Sequence, residues 1–583
     1  MAQLICLLIL FAGVSCADKQ EESDPGNSDS GSTSGPTYHQ DIAPILSHSC
    51  SSCHTDGGLM STLLFDDPQI ASALAPVIAS AVSSGDMPPF YAEETEECPN
   101  PWGWTHDPRL DSDTIALITA WADAGGPIGD PEMAAPLVPP ASIDLADVDQ
   151  TLTPQGPWTT SVFGTTQDEF VCFTMDPGLD EVGWLEAFQV LPQDTAVVHH
   201  VLVGVDATGA SASLADENGV YECFGSFGVD ATFIGGWVPG SSPIQMPQYS
   251  GVRVDPDARI VMQMHYHLVD EPRQDATSLA VRWAESTPVR PAQFRLQGNA
   301  GSGSDGLQPG PNDEGEPEFF IPAGSTDHTE IMGFEFGPEV FTSNRVFLVA
   351  NHMHYIGVDM RMWVESADSD EDVCLLHTPQ WSFDWQQFYG YDVDSGLGPI
   401  ISQGDVLWLE CMYDNTLDNP GVVDVLTETG LTDPVDVGLG NGSLDEMCIG
   451  VIGQVADLVF TEPNETHTGS LDLVVDSEEL GFSLPCVGPA SITVDDKGTL
   501  SGRGHCGLDI GEILVSLSVM FQGEVTVDGD VLGTSTAIAL GVEGDSNGTV
   551  LGSTSGTDFS VTVESIGTFA GAKVTFSGTI ESD

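Results

Sequence analysis

Residues 344–364 read NRVFLVANHMHYIGVDMRMWV. This is a β-branched and aromatic run broken by Asn, Gly and Asp, the composition of strands rather than of a helix. It carries His352-Met353-His354. Side chains alternate along a strand, so an H-x-H turns both imidazoles to one face, where two nitrogens can meet one metal. Three more runs have the same texture: AVVHHVLVGV (196–205), ARIVMQMHYHLV (258–269) and DVLWLECMYD (405–414). No long helical pattern intervenes, which predicts antiparallel sandwiches and not an α/β sheet. About three hundred residues of this character imply two of them, over 158–295 and 296–464.

Histidine pairs recur in these runs. Besides His352 and His354 there are His199-His200 and His265-Tyr266-His267. One pair could be a satisfied core feature, but three in one β region point to metal. His265 and His267 share a face. Neighbouring His199 and His200 point to opposite faces of a regular strand, and sharing one ion requires a bulge or a strong twist.

Upstream, residues 38–130 read as helical, with apolar residues at helical spacing over 41–46, 69–83 and 112–124. In the last, Ser112 or Asp113 can cap the start and Gly125-Gly126-Pro127 ends it. This region holds Cys50-Ser51-Ser52-Cys53-His54, a C-x-x-C-H. Two thiols can add to haem vinyl groups while the adjacent imidazole takes the proximal position on iron. The rival readings are half a zinc site, without its second Cys pair, and a redox C-x-x-C, without its βαβ context. Met87, in Gly85-Asp86-Met87-Pro88-Pro89, is the candidate sixth ligand. The segment resembles class I cytochrome c domains, where a Met before Pro on a loop reaches the iron.

The remaining segments frame these. Residues 1–17, with a short apolar run ending in small residues, are expected to be a signal peptide. Gly13-Val14-Ser15-Cys16 resembles a lipoprotein cleavage site, with Gly13 for the usual Leu; lipidation of Cys16 would anchor the chain, and cleavage after Ala17 is the alternative. Residues 18–37 are a polar disordered tether and 131–157 a Pro/Ala/Asp-rich linker. No stretch reaches the eighteen consecutive apolar residues of a membrane span. Residues 465–583 alternate Gly, Ser, Thr and Val without metal-type residues and form a separate small β domain. The fold class expected is therefore multidomain and mainly β: a small all-α haem domain, two antiparallel metal-type β-sandwiches and a last β domain.

With 13 Lys+Arg against 89 Asp+Glu, the net charge is −76. Such a surface repels nucleic acid and anionic membranes and favours solubility. Of the 12 cysteines, Cys6 and Cys16 lie in the leader and Cys50 and Cys53 in the haem motif. The eight scattered others suit disulfides in a periplasmic or extracellular compartment.

Residues 158–460 resemble the copper type II, ascorbate-dependent monooxygenases, the family of dopamine β-monooxygenase and peptidylglycine α-hydroxylating monooxygenase. The matching stretches, in the family's order, are VVHHVLVG, MQMHYHL, ANHMHYIG, GDVLWLECMYDNT and LDEMC. The resemblance implies two coppers: an electron-storing one on His199, His200 and His265, and an oxygen-binding one on His352, His354 and Met447. His267 is left as structural, although strand geometry alone makes it as good a partner of His265. A disulfide Cys411–Cys448 beside Met447 fits the family; Cys172–Cys223 and Cys486–Cys506 are expected as well, with Cys98 and Cys374 unassigned. The implied reaction hydroxylates an activated C–H of a small organic substrate with O₂, with ascorbate or another donor as reductant; the haem fused to this chain adds the expectation that it relays electrons to the coppers. The alternatives are a non-catalytic exported copper and haem redox or copper-binding protein, and a surface-binding protein acting through its last domain.

Overall fold

A computed structural model describes residues 35–457, except 56–59, 61, 140–143, 164–167, 299–305, 314, 338–342, 370 and 394–397, and the strands within 468–579. The leader, with its signal and lipid-anchor expectations, lies outside the described residues. The chain is mainly β, with its helices concentrated near the N-terminus. No helix among the described residues is long and apolar enough to cross a membrane.

The N-terminal helices run Tyr38–Ile42, Ala43–Ser49, Pro68–Ala73, Ala75–Ser84 and Ser112–Asp123. The predicted 69–83 helix is interrupted at Leu74, just before Pro76, whose ring excludes an uninterrupted backbone ladder. The last helix is capped by Asp111, which accepts from Thr114 N–H at 2.8 Å, and not by Ser112 or Asp113. Ile42, Leu46, Ile78, Ile118 and Trp121 form its small core.

Two sandwiches follow. In the first, strands Asp168–Met175, Val198–Asp206 and Arg259–His267 lie in one five-stranded sheet, facing a sheet that includes Gly183–Leu191 and Ser278–Trp283. In the second, His328–Glu335, Gly357–Glu365, Val373–Thr378 and Val406–Tyr413 face a sheet built on Ser343–His352 and Ile449–Ala456. A single apolar cluster of buried side chains runs through both.

The boundaries differ from those read in the sequence. Gln150–Leu152, assigned to the linker, pairs with residues 279–281 as an edge strand. Arg290–Gly298 straddles the expected 295/296 boundary and pairs along Ile449–Ala456, so it belongs to the second sandwich. Through a short parallel pairing with Ser250–Val254 it also fuses one sheet of each sandwich into a single ten-stranded sheet. A ten-residue helix, Pro420–Thr429, interrupts the β texture. Residues 89–105, expected within the haem domain, leave it: Phe90 and Ala92 are buried in the sandwich core, and Cys98 is joined to Cys374.

Eight antiparallel strands from Thr468–Ser477 to Ala572–Thr579 end the chain, each paired with the next and the last with the first, a closed ring. Arg253 of the first sandwich meets its Asp509 at 2.6 Å.

Candidate metal centres and haem pocket

His265 sits on Arg259–His267 opposite His200, but the next residue, Tyr266, lies opposite Val198. His199 is the extra residue of a β-bulge. The bulge breaks the strict alternation that would send His199 and His200 to opposite faces. The Nδ1 atoms of His199, His200 and His265 form a triangle with sides of 3.2–3.3 Å. A point equidistant from the corners, side divided by √3, lies about 1.9 Å from each, close to the roughly 2.0–2.1 Å of a zinc–imidazole bond.

Hydrogen bonding fixes the ring states. His265 Nε2 donates to Asp168 Oδ1 at 2.8 Å, and the ring stacks on Phe170 at 4.3 Å. Its Nδ1 is then left with a lone pair turned into the triangle. Burial pushes the His265 pKa down to about 4, against the opposing pull of Asp168, and that of His200 well below its ordinary value. Burial alone would raise the Asp168 carboxyl, but its bonds to His265 and His267 hold it well below the usual carboxylate range. His267 stays outside the triangle, half exposed and 3.7 Å from Asp168.

The second group stands at the end of Ser343–His352. His352 Nδ1 donates to Gln386 Oε1 at 2.6 Å, and His354 Nδ1 to the Asp445 carbonyl at 2.8 Å. Both bonds use Nδ1–H, so both Nε2 atoms keep lone pairs. The rings lie 5.3 Å apart, nearly perpendicular. Burial, then neighbouring His354, pushes the His352 pKa down to about 3. The backbone of Met447 is tied to this turn through Glu446. The buried Glu446 side chain, its pKa pushed up to about 8 by burial against these bonds, accepts from the N–H groups of His354 (2.7 Å), Ile356 (2.9 Å) and Met447 (3.1 Å), tying the methionine loop to the H-x-H turn. Tyr413 O–H donates to the Met447 carbonyl, and Cys411–Cys448 closes the same loop.

Phe383 lies between the two groups, its ring 5.9 Å from that of His199 and 6.3 Å from that of His354. His352 and His354 are near enough to depress the His200 pKa further. The two groups therefore meet at the ring of Phe383.

Cys50, Cys53, His54 and Met87 line one cavity of ≈ 3160 Å³ that continues between the helical unit and the sandwiches. Ile45, Leu63, Phe65 and Ile78 give it apolar walls. His54 Nδ1 donates to the Leu63 carbonyl at 3.3 Å and its ring stacks on Phe65, leaving Nε2 with a lone pair. Burial pushes the Cys50 thiol up to about 12 and raises Cys53 too. Two cysteines, an adjacent imidazole and apolar walls are the set that a covalently attached haem needs.

Cys172–Cys223 and Cys411–Cys448 pair as expected, and the unassigned Cys98 and Cys374 pair with each other. Cys506 is disulfide-bonded; the side chain of Cys486, its expected partner, lies outside the described residues. His328 and His377 are structural, held by Glu330 and Asp359. Sequence reading missed Asp168, Phe383 and Gln386. No local pattern marks them, since each is defined by a partner far along the chain. Glu446 had a signal, its place in the LDEMC stretch.

Two expectations follow. Copper loading of the apoprotein should hold from about pH 7 to about pH 5, because a lowered imidazole pKa keeps the ring neutral and its lone pair available. Loss should set in only near the depressed values of about 4 and about 3. Equilibrium dialysis across pH checks this; a midpoint near 6.5 would mean solvent-like histidines. Glu446→Gln leaves one acceptor oxygen and turns an amide N–H₂ toward backbone donors. It should weaken metal binding at the His352 group by about ten- to a hundredfold, read by chelator competition, with the three-histidine group unaffected.

In comparisons with known proteins, no family model matches this chain and no curated protein is significantly similar to it.

Proposed function

We propose that this chain is an exported copper-dependent monooxygenase with a fused c-type haem unit: a cytochrome c-like helical domain, two copper-binding sandwiches and a small β domain. One observation carries the reading. Three imidazole nitrogens converge at 3.2–3.3 Å, and that of His265 can only accept, because its other nitrogen donates to Asp168. A soft cation at the centre satisfies the His265 lone pair and lies within reach of the other two nitrogens.

The overall reaction is R–H + O₂ + 2 e⁻ + 2 H⁺ → R–OH + H₂O. Copper at these ligands supplies one-electron redox chemistry and oxygen binding. The chain's own residues do the rest. His199, His200 and His265 would hold one ion; His352, His354 and Met447 the other, a thioether favouring the cuprous state. Asp168 and Gln386 fix ring orientation, and Glu446 fixes the methionine loop. Cys50, Cys53, His54 and Met87 would hold the haem, thioether ligation raising its potential as suits an electron carrier.

The leading alternative is a redox or copper-storage protein without turnover. Metal analysis and haem staining, followed by oxygen uptake with ascorbate against amidated-peptide precursors, phenethylamines and small hydrocarbons, separates the two. Copper and haem present with substrate-dependent uptake is the expected result; bound metals without uptake from any of these would favour the alternative.

A further inference from the structure

Residues 89–105 run along the second sandwich as a seam. Glu93 N–H donates to the His377 carbonyl at 3.0 Å, Thr105 N–H to Gly390 at 2.8 Å, Arg361 pairs with Glu97 at 3.1 Å, and Cys98 is bonded to Cys374. At the end of the seam nearest the haem cavity, Gln387 Nε2 donates to the Pro89 carbonyl at 3.3 Å. Its chain neighbour Gln386 accepts from His352 Nδ1 at 2.6 Å and donates through Nε2 to the Phe383 carbonyl at 2.9 Å. Two adjacent glutamines thus span the distance from the Met87-Pro88-Pro89 loop to an imidazole of the H-x-H group. The three-histidine group meets the same segment only further along, at the ring of Phe383.

We infer that Gln387 and Gln386 form the bridge by which an electron passes from the Cys50–His54–Met87 site to the His352 site, which is reduced before the three-histidine site. The inference rests on the haem and copper reading above. The route departs from one in which reductant serves the three-histidine group first. The transfer makes and breaks no bond: ferrous iron becomes ferric, one cupric ion becomes cuprous, and a chemical reductant, dithionite in the test, restores the iron. Gln386 acts here as a positioning residue, fixing the His352 ring and the segment that carries Gln387.

The test uses the oxidised full chain, loaded with haem and copper and mixed anaerobically with substoichiometric dithionite. Haem absorbance follows the iron and freeze-quench electron paramagnetic resonance follows the cupric signals. The ferrous haem band should rise and then decay, and the cupric signal lost first should be the one that His352→Ala lacks. Gln386→Leu should slow the decay by about tenfold or more. Gln387→Leu, which does not touch the imidazole, should also slow it, with copper content and haem spectrum unchanged. Should both variants pass the electron at the parent rate, or the three-histidine signal vanish first, the bridge is wrong. If the parent protein itself binds both metals yet shows no decay, the haem relay fails altogether, and that outcome is distinct from a failure of the route.

Discussion

His352→Ala should remove one of two bound copper equivalents and lower substrate-dependent oxygen uptake by more than about a hundredfold, beyond the usual cost of losing a group that merely supports a ligand. The ring stands at the end of Ser343–His352, while the strand behind it is anchored by pairing with Ile449–Ala456. Truncation there leaves the apolar core intact and frees Gln386 Oε1, which can turn to solvent while Nε2 keeps the Phe383 carbonyl. The fold should therefore survive, with an unchanged circular dichroism spectrum, while the second ion loses a nitrogen. Metal analysis and an oxygen electrode read the effect. Full copper content and undiminished uptake would remove His352 from the ligand set.

The second large effect is on stability. Cys98–Cys374 closes a loop of 276 residues and pins the seam that joins the helical unit to the sandwiches. Long loops lose most entropy on cross-linking, and removing such a bond costs about 2–5 kcal/mol. A Cys98→Ala/Cys374→Ala variant should unfold at lower temperature and be cut by protease within residues 89–110, nicking the helical unit between Ala75–Ser84 and Ser112–Asp123. Removing Cys172–Cys223, with a separation of 51, should cost less. Calorimetry and limited proteolysis read both. An unchanged midpoint and intact seam would mean that the hydrogen bonds and the burial of Phe90 suffice without the covalent tie.

Local patterns were legible in the sequence and long-range register was not. The strands bearing His200, His265 and His352 could be read because β composition and alternation are properties of a few consecutive residues. The C-x-x-C-H motif and Met87 could be read for the same reason, and they line one cavity. Whether His199 joins His200 depended on a bulge, which exists only relative to the partner strand. The 295/296 boundary failed because Arg290–Gly298 is textured like its predecessors yet pairs with residues more than 150 positions on. Asp168, Gln386 and Phe383 carry no signature of their own. A carboxylate, an amide and a ring become site residues only when folding brings them to particular imidazoles.

X-ray absorption at the copper edge of the fully loaded, reduced chain tests the central claim most directly. The prediction is two copper ions per chain, with imidazole nitrogens around both and one sulfur scatterer shared over the two, absent in Met447→Ala. A single equivalent of copper, or nitrogen-only ligation unaltered by that substitution, would contradict the two-centre account.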